Sequence, residues 1–296
     1  MTRALVLSGG GGKGAFEVGA LQQLIHQQQL DFDLFCGTSV GAINAAFLAQ
    51  GASWSEQAEG IQTLAAKWFT LSGSRDIYRR NRFGLLNLLF GGALFSPVGL
   101  KRLIHSLIRP EKLRTGKRLM IPAVALEDGE LYYADSGKEA DCLEMERFVL
   151  ASASIPVYFP PVIIRGKHWV DGGTRDLTPL SVVVKEAPQE IVVITTYPIN
   201  SDLEPIFPPF RQFNNTLAIV KRILDILNAE IGSNDLRVVN KVNQRMSMLP
   251  RPQNTRIILV APKQPLPTGG LSFSPKLIRE YFQHGQQAAV SPRVFR

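Results

Sequence analysis

At Gly37-Thr38-Ser39-Val40-Gly41 a serine stands between two glycines, each two residues away. Gly-x-Ser-x-Gly is the spacing of a nucleophile elbow, where the serine sits on a strained strand-to-helix turn with its hydroxyl exposed above a sheet. Glycine at 37 and 41 spares that turn side chains that would clash. The next residues, Ala42-Ile43-Asn44-Ala45-Ala46, read as helix. The N-terminus of that helix, with its unpaired N–H groups and positive dipole end, would stabilise an oxyanion formed at Ser39. The five-residue pattern also arises in unrelated proteins, so other residues must decide its meaning.

Upstream, Ala4-Leu5-Val6-Leu7 runs into Ser8-Gly9-Gly10-Gly11-Gly12-Lys13-Gly14. Residues 15–29 then carry Phe16, Val18, Ala20, Leu21, Leu24 and Ile25 at helical spacing. A strand, a glycine loop and a helix in this order expose several backbone N–H groups to a ligand. Three readings compete for the loop. Gly9-x-Gly11-x-x-Gly14 has the letters of a dinucleotide fingerprint, and Asp31 or Asp33 lies near the distance of its ribose acid. A phosphate loop needs Ser or Thr after its lysine, and here Lys13 is followed by Gly14, which excludes it. The third reading is an oxyanion hole made of glycine N–H groups. Where a dinucleotide fold would place its second strand and acid, residues 34–41 lead into the serine turn, which favours the oxyanion hole.

Downstream, residues 162–170 read as two strands around a glycine turn and end at Asp171-Gly172-Gly173. An aspartate at a strand end is well placed for a site at a sheet edge, although Asp-Gly is also a common turn. The four histidines, His26, His105, His168 and His284, fall in no motif. His168 precedes Asp171 by three residues, which on a strand points it to the opposite face. All four are read as surface or structural residues. Cys36 and Cys142 have neither disulfide-framework nor metal-ligand spacing. No metal and no cofactor is expected.

These residues need a scaffold, and the chain of 296 residues is long enough to supply one large core. Its hydrophobic fraction of 45% with 20% charged residues is that of a soluble globular protein. Strand patterns at 4–7, 119–126, 130–134, 191–196 and 257–261 alternate with helical ones at 56–72, 98–108, 145–152, 216–239 and 274–287. On the 56–72 helix, Ile61, Leu64, Ala65, Trp68 and Phe69 share one side. On the 216–239 helix, Leu217, Val220, Leu224, Leu227 and Ile231 do. Alternating elements of this kind predict an α/β fold with three layers, α/β/α, around a largely parallel central sheet. A catalytic domain over 4–200 is expected, with 201–296 as a helical extension packed on the same core. The ending, 291–296, reads as basic and loose.

Net charge is +8, a surplus that suits an anionic partner, nucleic acid or membrane surface, or is simply a basic exterior. In 75–95, Arg75, Arg79, Arg80 and Arg82 precede the apolar run from Phe83 to Phe95. That run is too short to span a bilayer. It suits an interfacial lid, a membrane-docking surface or a core helix. The N-terminus lacks the long apolar region of a signal peptide, and no run reaches membrane-span length. A cytoplasmic location is expected, with peripheral contact at a membrane.

With the glycine loop, Gly37-Thr38-Ser39-Val40-Gly41 and Asp171-Gly172-Gly173 in this order, the chain resembles the patatin-like phospholipases. Ala151-Ser152-Ala153-Ser154-Ile155-Pro156 and Phe159-Pro160-Pro161 add to the likeness, which covers residues 4–185. The resemblance implies a serine-aspartate dyad, with Ser39 as nucleophile and Asp171 as proton acceptor. It implies Gly10, Gly11 and Gly12 as the oxyanion hole, supported by Gly9, Lys13, Gly14, Gly37, Gly41, Gly172 and Gly173. A carboxylate is a weak base at its ordinary pKa, so Asp171 is expected to be partly desolvated. The expected activity is hydrolysis of lipid acyl esters, of phospholipase A or lysophospholipase type. The expected partners are a lipid or acyl-ester substrate and an anionic membrane surface, not nucleic acid. A soluble ester or thioester substrate, or a nucleotide-binding regulator using Gly9–Gly14, are the alternatives.

Overall fold

Strand β1 (Arg3–Leu7) feeds two different cores. Leu5 and Leu7 point into one, Ala4 and Val6 into the other, as the two-residue period of a strand requires. Its continuous apolar run is therefore explained by helices on both faces of the sheet. The computed structural model describes residues 2–81, 93–246, 255–267 and 270–295.

On the face reached by Leu5 and Leu7 lie α1 (Gly14–Gln22), α2 (Val40–Leu48) and α3 (Trp54–Phe69). They are joined there by α4 (Val98–Leu107) and, after the short α5 (Pro110–Thr115), by α6 (Glu139–Ser152). The opposite face is covered by α7 (Leu180–Val184) and α8 (Thr216–Met246). A last helix, α9 (Pro275–Val290), returns to the first face through Ile278, Tyr281 and Phe282. Helix α3 begins two residues earlier than expected, after a capping box. The Ser53 Oγ accepts from the Glu56 N–H, and the Glu56 carboxylate accepts from the Ser53 N–H. Phe69, on the same side of the helix as the buried Ile61 and Leu64, is 42% exposed and meets Phe282 edge-on.

The remaining strands are β2 (Leu34–Gly37), the short pair β3 (Arg79–Arg80) and β4 (Phe95–Ser96), β5 (Arg118–Ala125) and β6 (Leu131–Asp135). Then come β7 (Val162–Ile164), β8 (Lys167–Asp171), β9 (Glu190–Ile194), β10 (Arg256–Val260) and β11 (Arg293–Phe295). The main sheet runs β11-β10-β9-β1-β2-β5-β8-β7, with β6 on the other edge of β5. Its five central strands, β10 to β5, are parallel, and the margins are antiparallel. The three-layer α/β/α reading stands. Two parts of the C-terminal reading change. The ending is not loose, because β11 pairs with β10. The buried face of α8 is Ala229, Gly232, Ser233, Leu236 and Val239, while Val220 and Leu227 are exposed. Small residues let that part of the helix approach Tyr197 closely: a Cβ on Gly232 would lie 2.3 Å from its hydroxyl.

One feature of the register positions the site. Residues 118–120 of β5 pair with β2, and residues 123–125 pair with β8. Since β6 occupies the other edge at 120–124, β2 and β8 share one edge and run toward each other. Their carboxyl ends meet beside Ile121 and Pro122. Ser39 follows one of those ends, and Asp171 is the last residue of the other.

Candidate active site

Thr38 and Ser39 make the turn between β2 and α2. Ser39 adopts φ 58° and ψ −121°. For a non-glycine residue such a conformation costs about 1–3 kcal/mol and persists only where the surroundings enforce it. Gly41 is needed for close approach rather than for unusual angles, since a Cβ there would lie 2.7 Å from the Leu7 carbonyl oxygen. Ser39 and Asp171 are both 5% exposed. The Ser39 hydroxyl faces the Asp171 carboxylate closely enough to lower its pKa. Burial raises the Asp171 pKa to about 7, against the opposing pull of the Gly173 N–H and the Ser39 hydroxyl. The Gly173 bond to Oδ1 is 2.8 Å long. The expected desolvation of Asp171 is present.

The glycine loop lies against this pair. A Cβ on Gly9 would come within 3.1 Å of the Ser39 Cβ. Gly9 is pinned at both ends: its N–H donates to the Leu177 carbonyl (3.1 Å), and its own carbonyl accepts from Thr196 Oγ1 (2.6 Å). Gly11 has φ +57°, a left-handed conformation natural to glycine, and opens a single tight turn, Gly11–Lys13, before α1. Among the described residues the N–H groups of Gly10 and Gly11 make no hydrogen bond. The Gly12 N–H donates to the Gly270 carbonyl at 2.6 Å. Of the three glycines expected to be oxyanion donors, Gly12 is therefore already engaged.

Beside Ser39 opens an apolar cavity of about 50 Å³, walled by Ile43, Trp68, Leu100, Leu103, Phe159 and Phe273. Ile77 lines it too, so the described part of the 75–95 segment borders the site. Residues 82–92, which carry Arg82 and most of the apolar run, lie outside the described residues. Tyr78 lies tilted against Phe95 and edge-on to Phe159 and Phe273, and its hydroxyl donates to the Leu271 carbonyl at 2.6 Å.

Asp31 and Asp33 are not at the glycine loop. Asp33 accepts from the Arg3 N–H and pairs with Lys117 at 2.8 Å, and Asp31 pairs with Arg3. Both sit where β1 and β2 begin, the far edge from Gly9–Gly14, which removes the ribose acid from the dinucleotide reading. His105 and His168 pair with Glu146 and Glu127 at the surface, His284 is exposed, and His26 lies beyond α1. Lys13 ends the glycine turn, and its N–H donates to the Gly10 carbonyl at 3.2 Å.

A family model described as patatin-like phospholipase matches residues 5–184, which contain the glycine loop, Ser39 and Asp171. The chain belongs to that family. YjjU of Escherichia coli K12 is 27% identical over 206 residues, 66% of this patatin-like chain and 52% of YjjU. A cGAMP-activated phospholipase of Escherichia coli TW11681 is 30% identical over 195 residues, 58% of this chain and 51% of its own. The chain thus spans about half the length of these two relatives. The crystal structure of VipD from Legionella pneumophila aligns over 99% of this chain and 68% of its own, at 15% identity and a TM-score of 0.45.

Two contributions to the patatin-like site had no sequence signal. Thr196, just past β9, holds the loop by its side chain and by its N–H, which donates to Ser8 Oγ at 2.9 Å. The Gly270 carbonyl reaches Gly12 across most of the chain's length. A second buried acid, Asp176, also has its pKa raised to about 7, by burial first. The Tyr133 hydroxyl donates to it and opposes the rise.

Proposed function

We propose that the chain is a lipid acyl hydrolase of phospholipase A or lysophospholipase type, cleaving carboxylic esters through Ser39 and Asp171. One observation carries this reading: the hydroxyl of the strained Ser39 faces a buried carboxylate, Asp171, at the mouth of an apolar cavity. Ser39 Oγ attacks the ester carbonyl while Asp171 takes its proton. The N–H groups of Gly10 and Gly11 receive the oxyanion, in a site from which water is largely excluded. The tetrahedral intermediate collapses as Asp171 returns the proton to the departing alcohol oxygen. Water then attacks the acyl-serine with Asp171 again as base, releasing the acid and restoring the Ser39 hydroxyl. The acyl chain occupies the apolar cavity.

Labelling by a fluorophosphonate probe, followed by hydrolysis of a lipid panel, tests this reading. Wild type labels and hydrolyses. Ser39→Ala does neither, and Asp171→Asn loses about 10²–10⁴-fold in kcat as expected for a missing general base. Full activity in either variant on a folded protein sinks the dyad. The small size of the cavity favours a second reading, a short soluble ester or thioester as substrate. A rate that rises steeply when the substrate passes from monomer to micelle supports the lipid. A rate indifferent to micelles supports the soluble ester.

A further inference from the structure

The strained turn at Ser39 leaves its N–H outside both the strand ladder and the helix, and a buried N–H must find an acceptor. It donates to the side-chain hydroxyl oxygen of Ser152, 3.1 Å away. Ser152 ends α6 and is fully buried, as is Ser154. Two residues on, the Ser154 carbonyl accepts from the Asp171 N–H at 3.0 Å. Ser154 is in turn fastened by its own hydroxyl to the Leu150 carbonyl at 2.8 Å. Between them Ala153 faces the cavity. One three-residue stretch thus grips the backbone of Ser39 with its first member and that of Asp171 with its third.

We propose that Ser152 is a positioning residue for the hydrolytic reaction: its hydroxyl oxygen holds the nucleophile's backbone at the spacing from Asp171 that Ser154 sets. This inference rests on the dyad reading. A misplacement of about 1 Å at a reacting centre is worth about 100-fold in rate, so a freed Ser39 loses turnover more than substrate affinity. Ser152→Ala removes the acceptor without adding volume. Ser152→Thr keeps the acceptor and adds a methyl at a fully buried position.

Steady-state hydrolysis of p-nitrophenyl butyrate across pH 5–9 tests it, with the melting temperature of each variant measured alongside. The expected result for Ser152→Ala is a drop of about 10- to 100-fold in kcat with little change in KM. The acid limb of its pH profile should also move upward, because the nearby Ser39 hydroxyl, which lowers the Asp171 pKa, is then less firmly held. Ser152→Thr should be the faster of the two. A purely packing role predicts the reverse order, Ala above Thr, and an unmoved acid limb; that result overturns the inference. Ser39→Ala is run in parallel. If it keeps fluorophosphonate labelling, the dyad reading falls and the role of Ser152 falls with it. If it loses labelling while Ser152→Ala retains wild-type kcat, only the positioning role fails.

Discussion

Burial of Asp171 acts in opposite directions on chemistry and on stability. As the proposed base it must be ionised, so kcat should fall as pH drops through about 7, the value to which burial raises it. Asp176 titrates in the same region, but it faces Tyr133 rather than Ser39. Asp176→Asn should therefore leave the acid limb in place, and a limb that disappears in this variant would reassign the titration. For stability the sign is that of a raised carboxyl pKa. The group's contribution is complete below its unfolded value near 4 and is lost as pH rises through about 7. At pH 8 the fold carries a buried charge whose cost is at most about 4 kcal/mol, from a rise of about three pKa units at about 1.4 kcal/mol each. Asp171→Asn should then melt several degrees higher than wild type at pH 8. The gap should shrink toward pH 4. Equal melting temperatures at every pH would mean that the carboxylate is better solvated than its burial implies.

At the next level up, β11 shows how a short element depends on its partner. Only three of its residues pair with β10, Arg293 with Leu259 through Phe295 with Ile257, and the Arg293 guanidinium binds the carbonyls of Ile199 and Asn200. Deleting residues 291–296 uncovers the outer edge of β10. At about 1 kcal/mol per hydrogen bond, this should cost about 3 kcal/mol, read as a lower urea midpoint. Labelling at Ser39 should be unchanged, since β11 lies four strands from β2. The sequence hid this strand because Pro292, Arg293 and a length of three leave no apolar period to see. The chemistry-bearing turns were legible because each is local: Gly37 to Gly41 fix a bend, and a continuous apolar run at 4–7 fixes a doubly covered strand. The start of α3 was not: its apolar spacing places it at 56, and the Ser53–Glu56 capping box sets it at Trp54. Packing decided the rest. The α8 apolar spacing pointed to Val220 and Leu227, yet Ala229, Gly232 and Ser233 are what let the helix reach the sheet. The Gly12 to Gly270 bond joins residues too far apart for any local pattern to foretell.

Taken whole, the molecule carries a net charge of +8, and among the described residues no helix is long and apolar enough to cross a membrane. The positive surplus favours contact with an anionic bilayer surface. Arg75, Arg79 and Arg80 are exposed on the segment whose Ile77 lines the cavity beside Ser39 and whose Tyr78 meets Phe159 of its wall edge-on. We therefore expect the cavity edge to face anionic lipid. Co-sedimentation with vesicles should rise with the fraction of phosphatidylserine and fall between 50 and 500 mM salt, because exposed charges are screened beyond a Debye length of about 10 Å at 0.1 M. At about 1 kcal/mol per basic residue near such a surface, Arg79→Ala with Arg80→Ala should weaken binding about 30-fold. Lys112 and Lys185, exposed where the strands begin at the opposite edge of the sheet, give the control. Their double alanine variant has the same net charge and should bind nearly as wild type. Equal losses in the two double variants would make the attraction a property of total charge, and would leave the cavity edge without a preferred approach to the membrane.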